Sequence, residues 1–433
     1  MRLQSRLIPS KRLRTQARTD PSLAMKKHPL NKVMAFRGVR VIDGLGQAHE
    51  RATVLLHGPR IAAVGPARAV SIPRGARQID ARGLTILPGL IDCHVHLCLS
   101  GEADVVQTIR DEDPGYTLLK AALHARRTLE GGFTTVRDLG FRDHSVFALK
   151  HAIEAGLTHG PRVLAAGLAI CMTGGHARFI GRQADGPTEI VGAVREQLAA
   201  GAEVIKFIAS GGVLTPGTSP DCAQLSIEEL AAGMTEARRA GRRVAAHAHG
   251  AEGMKNAVRA GAHSIEHATL MDDEAAAMMR DAGVFMVPTL SALATTAGCG
   301  LSNGIPESAV AKARSIRPRH EASFKKAIRI GIPIALGTDA GTPFNHHGEN
   351  AQELERMVSL GMSPMEAIRA ATSAAASLLG IEHTVGTIEP GKQADLLIVD
   401  GNPLKRISVL RDRARITGVM QGGRFVSGPL AQD

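Results

Sequence analysis

Large aromatic side chains are scarce in this sequence. Its 433 residues include no tryptophan, a single tyrosine (Tyr116) and ten phenylalanines. Proteins that bind single-stranded nucleic acid stack the bases on aromatic rings, so this chain has little material for such a platform. Its hydrophobic core must be built instead from alanine, valine, leucine and isoleucine.

The patterns of membrane proteins and disulfide-rich proteins are also missing. No apolar run approaches the roughly 18–20 residues that are needed to cross a bilayer. The five cysteines are scattered, odd in number and never arranged as C-x-x-C, which favours reduced thiols in a cytoplasmic protein. The charged content of 21% is ordinary for a globular chain.

Positive charge is concentrated at the N-terminus. Residues 1–33 hold nine Lys or Arg and one acid, Asp20, and so carry +8 of the formal net charge of +11. The rest of the chain is close to neutral, which argues against a nucleic-acid partner. We interpret residues 1–33 as a basic flexible tail. They lack the apolar segment of a secretory signal. The alternatives are a transit peptide, or a true translation start at Met25 or Met34.

Two histidines separated by one residue end an apolar segment, LPGLIDCHVHL (87–97). If this segment is a strand, His94 and His96 lie on one face, and Cys93 and Val95 lie on the other. Neutral imidazole is a good ligand for zinc and its first-row neighbours. The pair therefore predicts part of a metal site, the alternative being two polar residues at a strand end.

From residue 85 onwards, strand-like and helix-like segments alternate. The predicted strands are 85–97, 133–140, 162–170, 204–210, 243–250, 264–270, 284–290 and 333–341. The helical patterns are 116–130, 145–156, 188–200, 226–240, 251–260, 272–282, 307–330 and 349–360, followed by 363–380. Eight strand–helix units over about 250 residues predict an α/β fold of the (β/α)8, or TIM, barrel type.

Shorter strand-like segments lie at both ends of the chain. They are 33–44 and 51–65 before the barrel pattern, and 386–403 and 416–428 after it. We expect them to form one small β-sandwich, so that the domains are 34–84 plus 384–433 for the sandwich and 85–383 for the barrel.

Polar side chains interrupt the predicted barrel strands near their carboxyl ends, where barrel active sites lie. They are His94 and His96 in the first strand, Lys206 in the fourth, His247 and His249 in the fifth, His267 in the sixth and Asp339 in the eighth. A polar group in a buried strand is costly unless it has a partner. Their common placement indicates one shared site, although His267 alone could be an ordinary core histidine.

Lys206 is the most informative of these residues, because a lone ammonium in an apolar strand is strongly disfavoured. It either pairs with a nearby acid such as Glu203, or burial lowers its pKa so that the neutral amine takes up carbon dioxide. The resulting carbamate would carry two oxygens that could bridge two metal ions. Asp339, flanked by small residues, could bind metal and accept a proton from water.

Together these motifs resemble the amidohydrolase superfamily. The matching segments are LPGLIDCHVHL, VIKFIASGG, AAHAHG, SIEHATL, GTDAG and GTIEPGKQADLLIVD, and the resemblance covers about residues 35–425. The segment MTGGHARFIGRQADGP (172–187) is similar to the imidazolonepropionase-like branch, which includes metal-dependent Xaa-Pro dipeptidases and carboxypeptidases. Imidazolonepropionases themselves lack a lysine on strand four, so Lys206 argues against that activity.

The resemblance implies two divalent metal ions, with zinc as the expected metal. One ion would be bound by His94, His96 and Asp339, and the other by His247 and His267. Lys206, carboxylated on its side-chain nitrogen, would bridge both ions.

The resemblance also implies catalytic roles. Asp339 would take a proton from the attacking water and deliver it to the leaving nitrogen, and His249 or His176 would steady the oxyanion. Gly174 and Gly175 would let the backbone approach the substrate, the alternative being a tight turn with an incidental histidine.

Besides these two glycines, His176, Arg178 and His249 would contact substrate. Arg178, Arg182 and His320 are the candidates for gripping a substrate carboxylate, each with a surface position as the alternative. Some relatives place a tyrosine after strand four, and this chain has none there.

The implied function is hydrolysis of a peptide-like amide C–N bond in an Xaa-Pro dipeptide or an N-acyl amino acid. The alternative is the same chemistry on a xenobiotic or cyclic amide, a carbamate or a urea. A non-catalytic assembly protein would lack metal ligands, whereas all six are present. We expect a small-molecule substrate, no membrane or nucleic-acid partner, and a homo-oligomer.

Overall fold

The computed structural model describes residues 32–431, so residues 1–31 of the predicted basic tail lie outside the described part. The strands are β1 (Val33–Ile42), β2 (Ala48–His57), β3 (Arg60–Pro66), β4 (Arg77–Asp80), β5 (Leu84–Pro88), β6 (Leu90–Val95), β7 (Phe133–Asp138), β8 (Arg162–Ala165), β9 (Ala169–Cys171), β10 (Gly181–Gln183), β11 (Val204–Ile208), β12 (Arg243–Gly250), β13 (Ser264–Leu270), β14 (Phe285–Val287), β15 (Leu396–Asp400), β16 (Ile416–Gln421) and β17 (Arg424–Ser427).

The helices are α1 (Val105–Asp111), α2 (Pro114–Glu130), α3 (Ser145–Glu154), α4 (Gly186–Ala200), α5 (Ile227–Arg239), α6 (Ala251–Ala260), α7 (Asp273–Asp281), α8 (Leu290–Cys299), α9 (Glu307–Ile330), α10 (Gln352–Ser359), α11 (Pro364–Ala370) and α12 (Ser373–Leu379). Within residues 32–431, each helix is too short or too polar to span a bilayer.

Strands from both ends of the chain form a single sheet. Its order is β17-β16-β15-β5-β1-β2-β3, with β4 beside β1, and β5 joins the two groups by pairing with β1 and with β15. A bridge between Arg60 and Gln393 brings the far edge back towards β15, so the sheet folds over an apolar core that includes Phe36, Val54 and Leu396. The predicted sandwich from both chain ends is confirmed, and its boundaries at 84 and 384 stay predictions.

Parallel strands between these ends form the barrel. β6, β7 and β8 pair in one sheet, and β9, β11, β12, β13 and β14 pair in another. The segment 333–341 lies between β14 and β6, where Met286 N donates to Pro333 O and Asp339 N donates to His94 O. The predicted (β/α)8 barrel is confirmed, with helices outside the strands.

Three predicted barrel strands differ in detail from the structure. The first divides at Gly89 into β5, which joins the sandwich, and β6; a Cβ at Gly89 would overlap the Thr134 side chain, so the crossing requires glycine. The third divides into β8, which pairs with β7, and β9, which pairs with β11. The eighth makes one bridge on each side, Val95–Ala340 and Met286–Ile334.

Most of the predicted helices agree with the structure to within a few residues, and 251–260 and 307–330 coincide with α6 and α9. The predicted segment 363–380 divides into α11 and α12. The sequence pattern did not anticipate α1 or α8. The residues of α8, LSALATTAGC, are small or apolar nearly throughout, so they show no polar face and resemble an extension of the strand before them.

Candidate active site

The polar side chains that interrupt the barrel strands converge at the carboxyl ends of those strands. Six of them line one cavity: His94, His96, Lys206, His247, His267 and Asp339. All six are buried.

His94, His96 and Asp339 form the first cluster. The Nε2 atoms of the two histidines lie 3.3 Å apart, and Asp339 Oδ1 lies 3.5 Å from that of His94 and 3.2 Å from that of His96. Burial lowers the pKa of His94 to about 4. Burial would raise the pKa of Asp339, but the two neighbouring imidazoles outweigh it and hold that pKa below its usual value.

Each imidazole of this cluster has one nitrogen fixed by the protein and one turned to its neighbours. His94 Nδ1 lies 2.9 Å from Glu266 Oε2, and His96 Nδ1 lies 2.9 Å from the carbonyl oxygen of Gly140. Donation through Nδ1 leaves both Nε2 lone pairs free. Such outer hydrogen bonds are typical of histidines that bind metal.

His247, His249 and His267 form the second cluster, in which one ligand atom from each lies within 4.8 Å of the others. Burial lowers the pKa of all three well below the ordinary value, so they are neutral. Each again has one nitrogen bonded to the protein: His247 to Gly211 O at 3.1 Å, His249 to Thr269 Oγ1 at 2.7 Å and His267 to Thr289 Oγ1 at 2.6 Å. His249 was expected to contact substrate, and its imidazole lies beside the two predicted ligands His247 and His267.

Lys206 lies in the cavity wall together with members of both clusters. It is 2% exposed, and its Nζ has no hydrogen-bond partner within residues 32–431. Burial lowers its pKa to about 8. The alternative pairing with Glu203 is wrong, because that carboxylate lies 2.9 Å from Lys150 Nζ.

Glu266 is a buried acid that the sequence analysis missed. Its Oε1 lies 2.9 Å from Arg137 Nη2, and its Oε2 contacts His94. Burial would raise its pKa, but Arg137 and His94 outweigh that effect and lower it to about 2. The neighbouring carboxylate of Asp138 accepts instead from the backbone N–H groups of Leu97 and Gly140.

Replacement of Glu266 by glutamine should lower the free energy of unfolding of the metal-free protein by about 3–5 kcal/mol, because it leaves the Arg137 charge buried without a counterion. Urea unfolding measures this change. Glu321→Gln is a matched control, because Glu321 lies 2.9 Å from Arg317 at the surface and such pairs contribute about 0–1 kcal/mol. Equal losses of unfolding free energy in the two variants would contradict the role of Glu266 as the counterion of Arg137.

Two residues of the site have a strained backbone. His267 has φ 72° and Asp339 has φ 60°, a region that costs non-glycine residues of order 1–3 kcal/mol when the surroundings enforce it. Thr289, the partner of His267, has φ 52°. Backbone that adopts these conformations must be held firmly by its neighbours.

Glu353 holds the segment next to Thr289, and the sequence analysis missed it too. It is buried, and its two carboxylate oxygens accept from Leu290 N at 2.7 Å and Ser291 N at 2.8 Å, at the start of α8. Burial raises its pKa to about 7. It thereby fixes the turn whose threonine orients His267.

His176 extends from the loop after β9 into the cavity. Its Nδ1 lies 2.9 Å from Thr215 Oγ1, and burial lowers its pKa to about 3. A Cβ on Gly212 would overlap the imidazole, so Gly212 is the glycine that permits this close approach.

Gly174, Gly175 and Arg178 are absent from the described residues that line either cavity, and their contact with substrate stays a prediction. The Arg178 guanidinium donates to the carbonyl oxygens of both glycines. Arg182 pairs with Glu196, and His320 is buried against the carbonyl oxygen of His267.

A second cavity adjoins the first. The two share His176, Leu214, His247, His267, Asp339 and Thr342. Outside the clusters the walls are mainly apolar, with Leu139, Phe179 and Ile180 in the first cavity, and Val213 and Leu293 in the second. An apolar space therefore lies on each side of the polar residues that the two cavities share, which we call the polar centre.

Comparisons with known proteins identify the family of this chain. Residues 85–426 match the model of the Amidohydrolase family. The chain is 32% identical to ochratoxinase of Aspergillus niger, in an alignment that covers 94% of this chain and 91% of the relative. It is 38% identical, with a TM-score of 0.86, to the structure of an Xaa-Pro dipeptidase with methionine bound in its active site, covering 92% of this chain and 100% of that one.

A prolidase in complex with N-methylphosphonate-L-proline is also similar, with 33% identity, a TM-score of 0.85 and coverage of 92% of this chain and 100% of that one. The resemblance predicted from the sequence motifs is confirmed.

Proposed function

Because this chain belongs to the amidohydrolase family and is a hydrolytic enzyme, we propose that it is a binuclear metal-dependent hydrolase that cleaves a peptide-like amide C–N bond. One observation carries the proposal: the buried amine of Lys206 has no partner within residues 32–431 and shares a cavity wall with both ligand clusters. Burying a polar group without a partner costs free energy. A lysine at this position is therefore explained if its side-chain nitrogen is bonded to a group other than the described residues.

The residues fit a pair of divalent ions. His94, His96 and Asp339 would hold one ion, His247 and His267 would hold the other, and carboxylated Lys206 would bridge them. Neutral imidazoles and carboxylates suit zinc, which is the metal we propose. When bound, the ions would supply the activation of water and the polarisation of the amide carbonyl.

The environment of Lys206 favours carboxylation. With a pKa of about 8, about half of the amine is neutral at pH 8, whereas an ordinary lysine with a pKa near 10.4 is under about 1% neutral there. The neutral nitrogen forms a bond to the carbon of carbon dioxide and loses one proton, which leaves an anionic carbamate. That anion replaces an unpartnered ammonium with two oxygens directed at cations.

Asp339 moves the proton in the proposed reaction. Its carboxylate is ionised and faces the cavity centre next to two imidazoles, so it accepts a proton from the attacking water and donates it to the leaving nitrogen. A left-handed backbone at this position fixes the direction of the carboxylate.

His176 is the proposed donor to the oxyanion. Thr215 Oγ1 accepts from Ala177 N at 3.2 Å, which leaves its hydroxyl proton free for His176 Nδ1, 2.9 Å away. His176 then carries its own proton on Nε2, the nitrogen next to Gly212. A neutral imidazole held this way can donate to developing negative charge. His249 is the second candidate for this contact.

The substrate we propose is an Xaa-Pro dipeptide or an N-acyl amino acid with an apolar group on each side of the amide. Support comes from the two apolar cavities on either side of the polar centre, and from relatives described as an Xaa-Pro dipeptidase and a prolidase.

The rival is a neutral amide, carbamate or urea. It is favoured by the cavity walls, which within the described residues contain no arginine and no lysine other than Lys206. A free substrate carboxylate would therefore depend on the metal site or on backbone N–H groups for its partner.

A hydrolysis panel with metal-replete protein tests these alternatives. We expect cleavage of Xaa-Pro dipeptides or N-acyl amino acids with apolar side chains, and about two metal ions per chain by elemental analysis. Cleavage of aryl amides, carbamates or ureas with no action on the first two classes would favour the rival. Metal-replete protein that cleaves no amide would overturn the proposal.

A further inference from the structure

The loop after β11 forms part of the wall of the active site, to which it contributes Leu214. It also carries the two residues that place His176. Gly212 leaves room for the imidazole, and Thr215 Oγ1 lies 2.9 Å from His176 Nδ1. The position of the proposed oxyanion donor therefore depends on the backbone of residues 212–215, which we call the 212–215 turn.

The side chain of Lys312 reaches this turn from helix α9. Its Nζ donates to the carbonyl oxygen of Thr215 at 2.9 Å and to that of Gly212 at 3.3 Å. Lys312 is partly buried, and burial lowers its pKa, so its ammonium has lost part of its contact with water. Its hydrogen-bond partners within the described residues are the carbonyl oxygens at the two ends of the turn, and the ammonium therefore links those ends.

Thr218 closes the same turn from within the loop. Its Oγ1 donates to Thr215 O at 3.0 Å and accepts from Gly212 N at 3.4 Å. Because a neutral hydroxyl forms weaker hydrogen bonds than an ammonium does, we expect Lys312 to contribute more to the geometry of the turn.

Apolar contacts hold α9 against the loop independently of this ammonium. Val310 and Ala313, on either side of Lys312 in the sequence, belong to the same buried apolar cluster as Val213. A substitution that removes only the charge of Lys312 should therefore leave the helix packed against the loop, and should change the polar contacts of the turn alone.

We propose that Lys312 is a positioning residue for hydrolysis, whose ammonium fixes the 212–215 turn and thereby holds the imidazole of His176 at the oxyanion. The inference rests on the proposed function and on the proposed role of His176 in it. Within the described residues, Lys312 is absent from the walls of both cavities, so it acts through the turn. Thr215 connects the two residues, because its carbonyl oxygen accepts from Lys312 and its hydroxyl contacts His176.

The same loop also contacts a predicted metal ligand, because Gly211 O lies 3.1 Å from His247 Nε2. Gly211 has a separate anchor, since its N–H donates to Cys222 O at 2.9 Å. We therefore expect loss of the Lys312 ammonium to displace the imidazole of His176 and to leave that of His247 in place.

Lys312→Met tests the proposal in the metal-replete full chain, because methionine keeps most of the length of the side chain but cannot donate a hydrogen bond. On the best substrate of the panel, kcat should fall at least about tenfold, since removal of an oxyanion donor costs about 10²–10³ in kcat and a displaced donor costs less. The oxyanion exists only during the reaction, so KM should change less than about threefold. Metal content should stay at the wild-type level.

Two variants control for the change of side chain. Lys312→Arg can donate to both carbonyl oxygens, so its kcat should remain within about threefold of the wild type. Lys325→Met removes an exposed lysine of the same helix and should leave kcat unchanged. Wild-type kcat in Lys312→Met would overturn the proposal.

A double variant shows whether Lys312 acts through His176. In a His176→Ala background, Lys312→Met should lower kcat by less than about twofold, because the group that it positions is no longer there. Losses that multiply in the double variant would overturn the proposal, since Lys312 would then act on a different part of the site.

Hydrogen exchange measured by mass spectrometry gives a readout that does not depend on activity. Peptides that cover residues 211–218 should exchange faster in Lys312→Met than in the wild type, and peptides of α9 should exchange at the wild-type rate. If the wild type cleaves amides and exchange in the 212–215 turn is unchanged in Lys312→Met, the inference alone is overturned. If the metal-replete wild type cleaves no amide, the proposed function fails, and the contribution of Lys312 to hydrolysis fails with it.

Discussion

Asp339→Asn should reduce kcat by at least about 1,000-fold while metal content stays near that of the wild type. Positioned acid–base groups contribute about 10²–10⁴ to rate, and the amide can neither accept nor return a proton. Its Oδ1 can still lie beside His94 and His96, so the loss concerns proton transfer more than binding. The measurements are kcat on the best substrate of the panel and elemental analysis of the same preparation.

Asparagine is the appropriate replacement because of the backbone at this position. Asp339 has φ 60°, and asparagine is one of the few residues besides glycine that adopt this region readily. Asp339→Ala would add backbone strain at this position, so a loss of activity could come from a folding defect as well as from the missing carboxylate. Asp281→Asn, at an exposed surface ion pair, is the control for the chemical change alone. Full activity in Asp339→Asn would refute the role of the carboxylate.

Strand-end residues of the site were predictable for a physical reason. Lys206 interrupts a segment that is otherwise apolar, His94 and His267 lie in strands that were expected to be buried, and a polar group in a buried strand demands a partner. Parallel strands of one barrel end at the same mouth. Knowing the alternation of strands and helices was therefore enough to gather these residues at one place.

Long-range pairings could not be predicted in the same way. Arg137 and Glu266 are 129 residues apart in sequence, and Glu353 reaches the start of α8 across 62 and 63 residues. No local spacing relates such partners. Glu266 did carry a signal, since it is an acid between Ile265 and His267 in a strand that is buried throughout, and it required the same explanation as Lys206.

Contacts between different loops could not be predicted from the spacing of residues in the sequence either. Gly174 and Gly175 suggested a backbone that approaches a ligand, but the glycine that clears space for His176 is Gly212, on a different loop. Which loops meet over the barrel mouth depends on their three-dimensional paths. The pattern of residues within one loop contains no information about the other.

Lys206→Ala should lose the bridged metal pair and with it nearly all hydrolysis. The variant has no amine to form the carbamate, so each ion depends on the imidazoles and Asp339 alone. We expect metal content to fall well below two ions per chain in elemental analysis after gel filtration. Short-chain carboxylic acids should restore part of the activity, because their two oxygens can occupy the space left by the side chain.

Lys206→Met is the matched control for this rescue. Methionine fills most of the space of the lysine chain but cannot be carboxylated, so added carboxylic acids should not restore its activity. If the acids restored Lys206→Met as strongly as Lys206→Ala, they would not be acting in the space left by the lysine side chain.

The free energy of unfolding of the metal-free wild type and of metal-free Lys206→Ala shows whether metal is lost because a ligand is missing or because the fold is damaged. The pKa of Lys206 falls from 10.5 in the unfolded chain to about 8 in the folded one, so the unfolded state binds more protons between these values. The wild-type free energy of unfolding should therefore rise with pH from about 8 to about 10.5, and Lys206→Ala should lack this rise. Denaturant unfolding at several pH values measures both slopes.

Removing an unpartnered buried ammonium should also leave the metal-free variant at least as stable as the wild type at pH 7, apart from the small cavity that alanine creates. Loss of metal from a protein that remains folded would then assign the bridge to this side chain. Retention of two tightly bound ions by Lys206→Ala would exclude the carbamate, and the five remaining buried ligands would have to hold both metals without it.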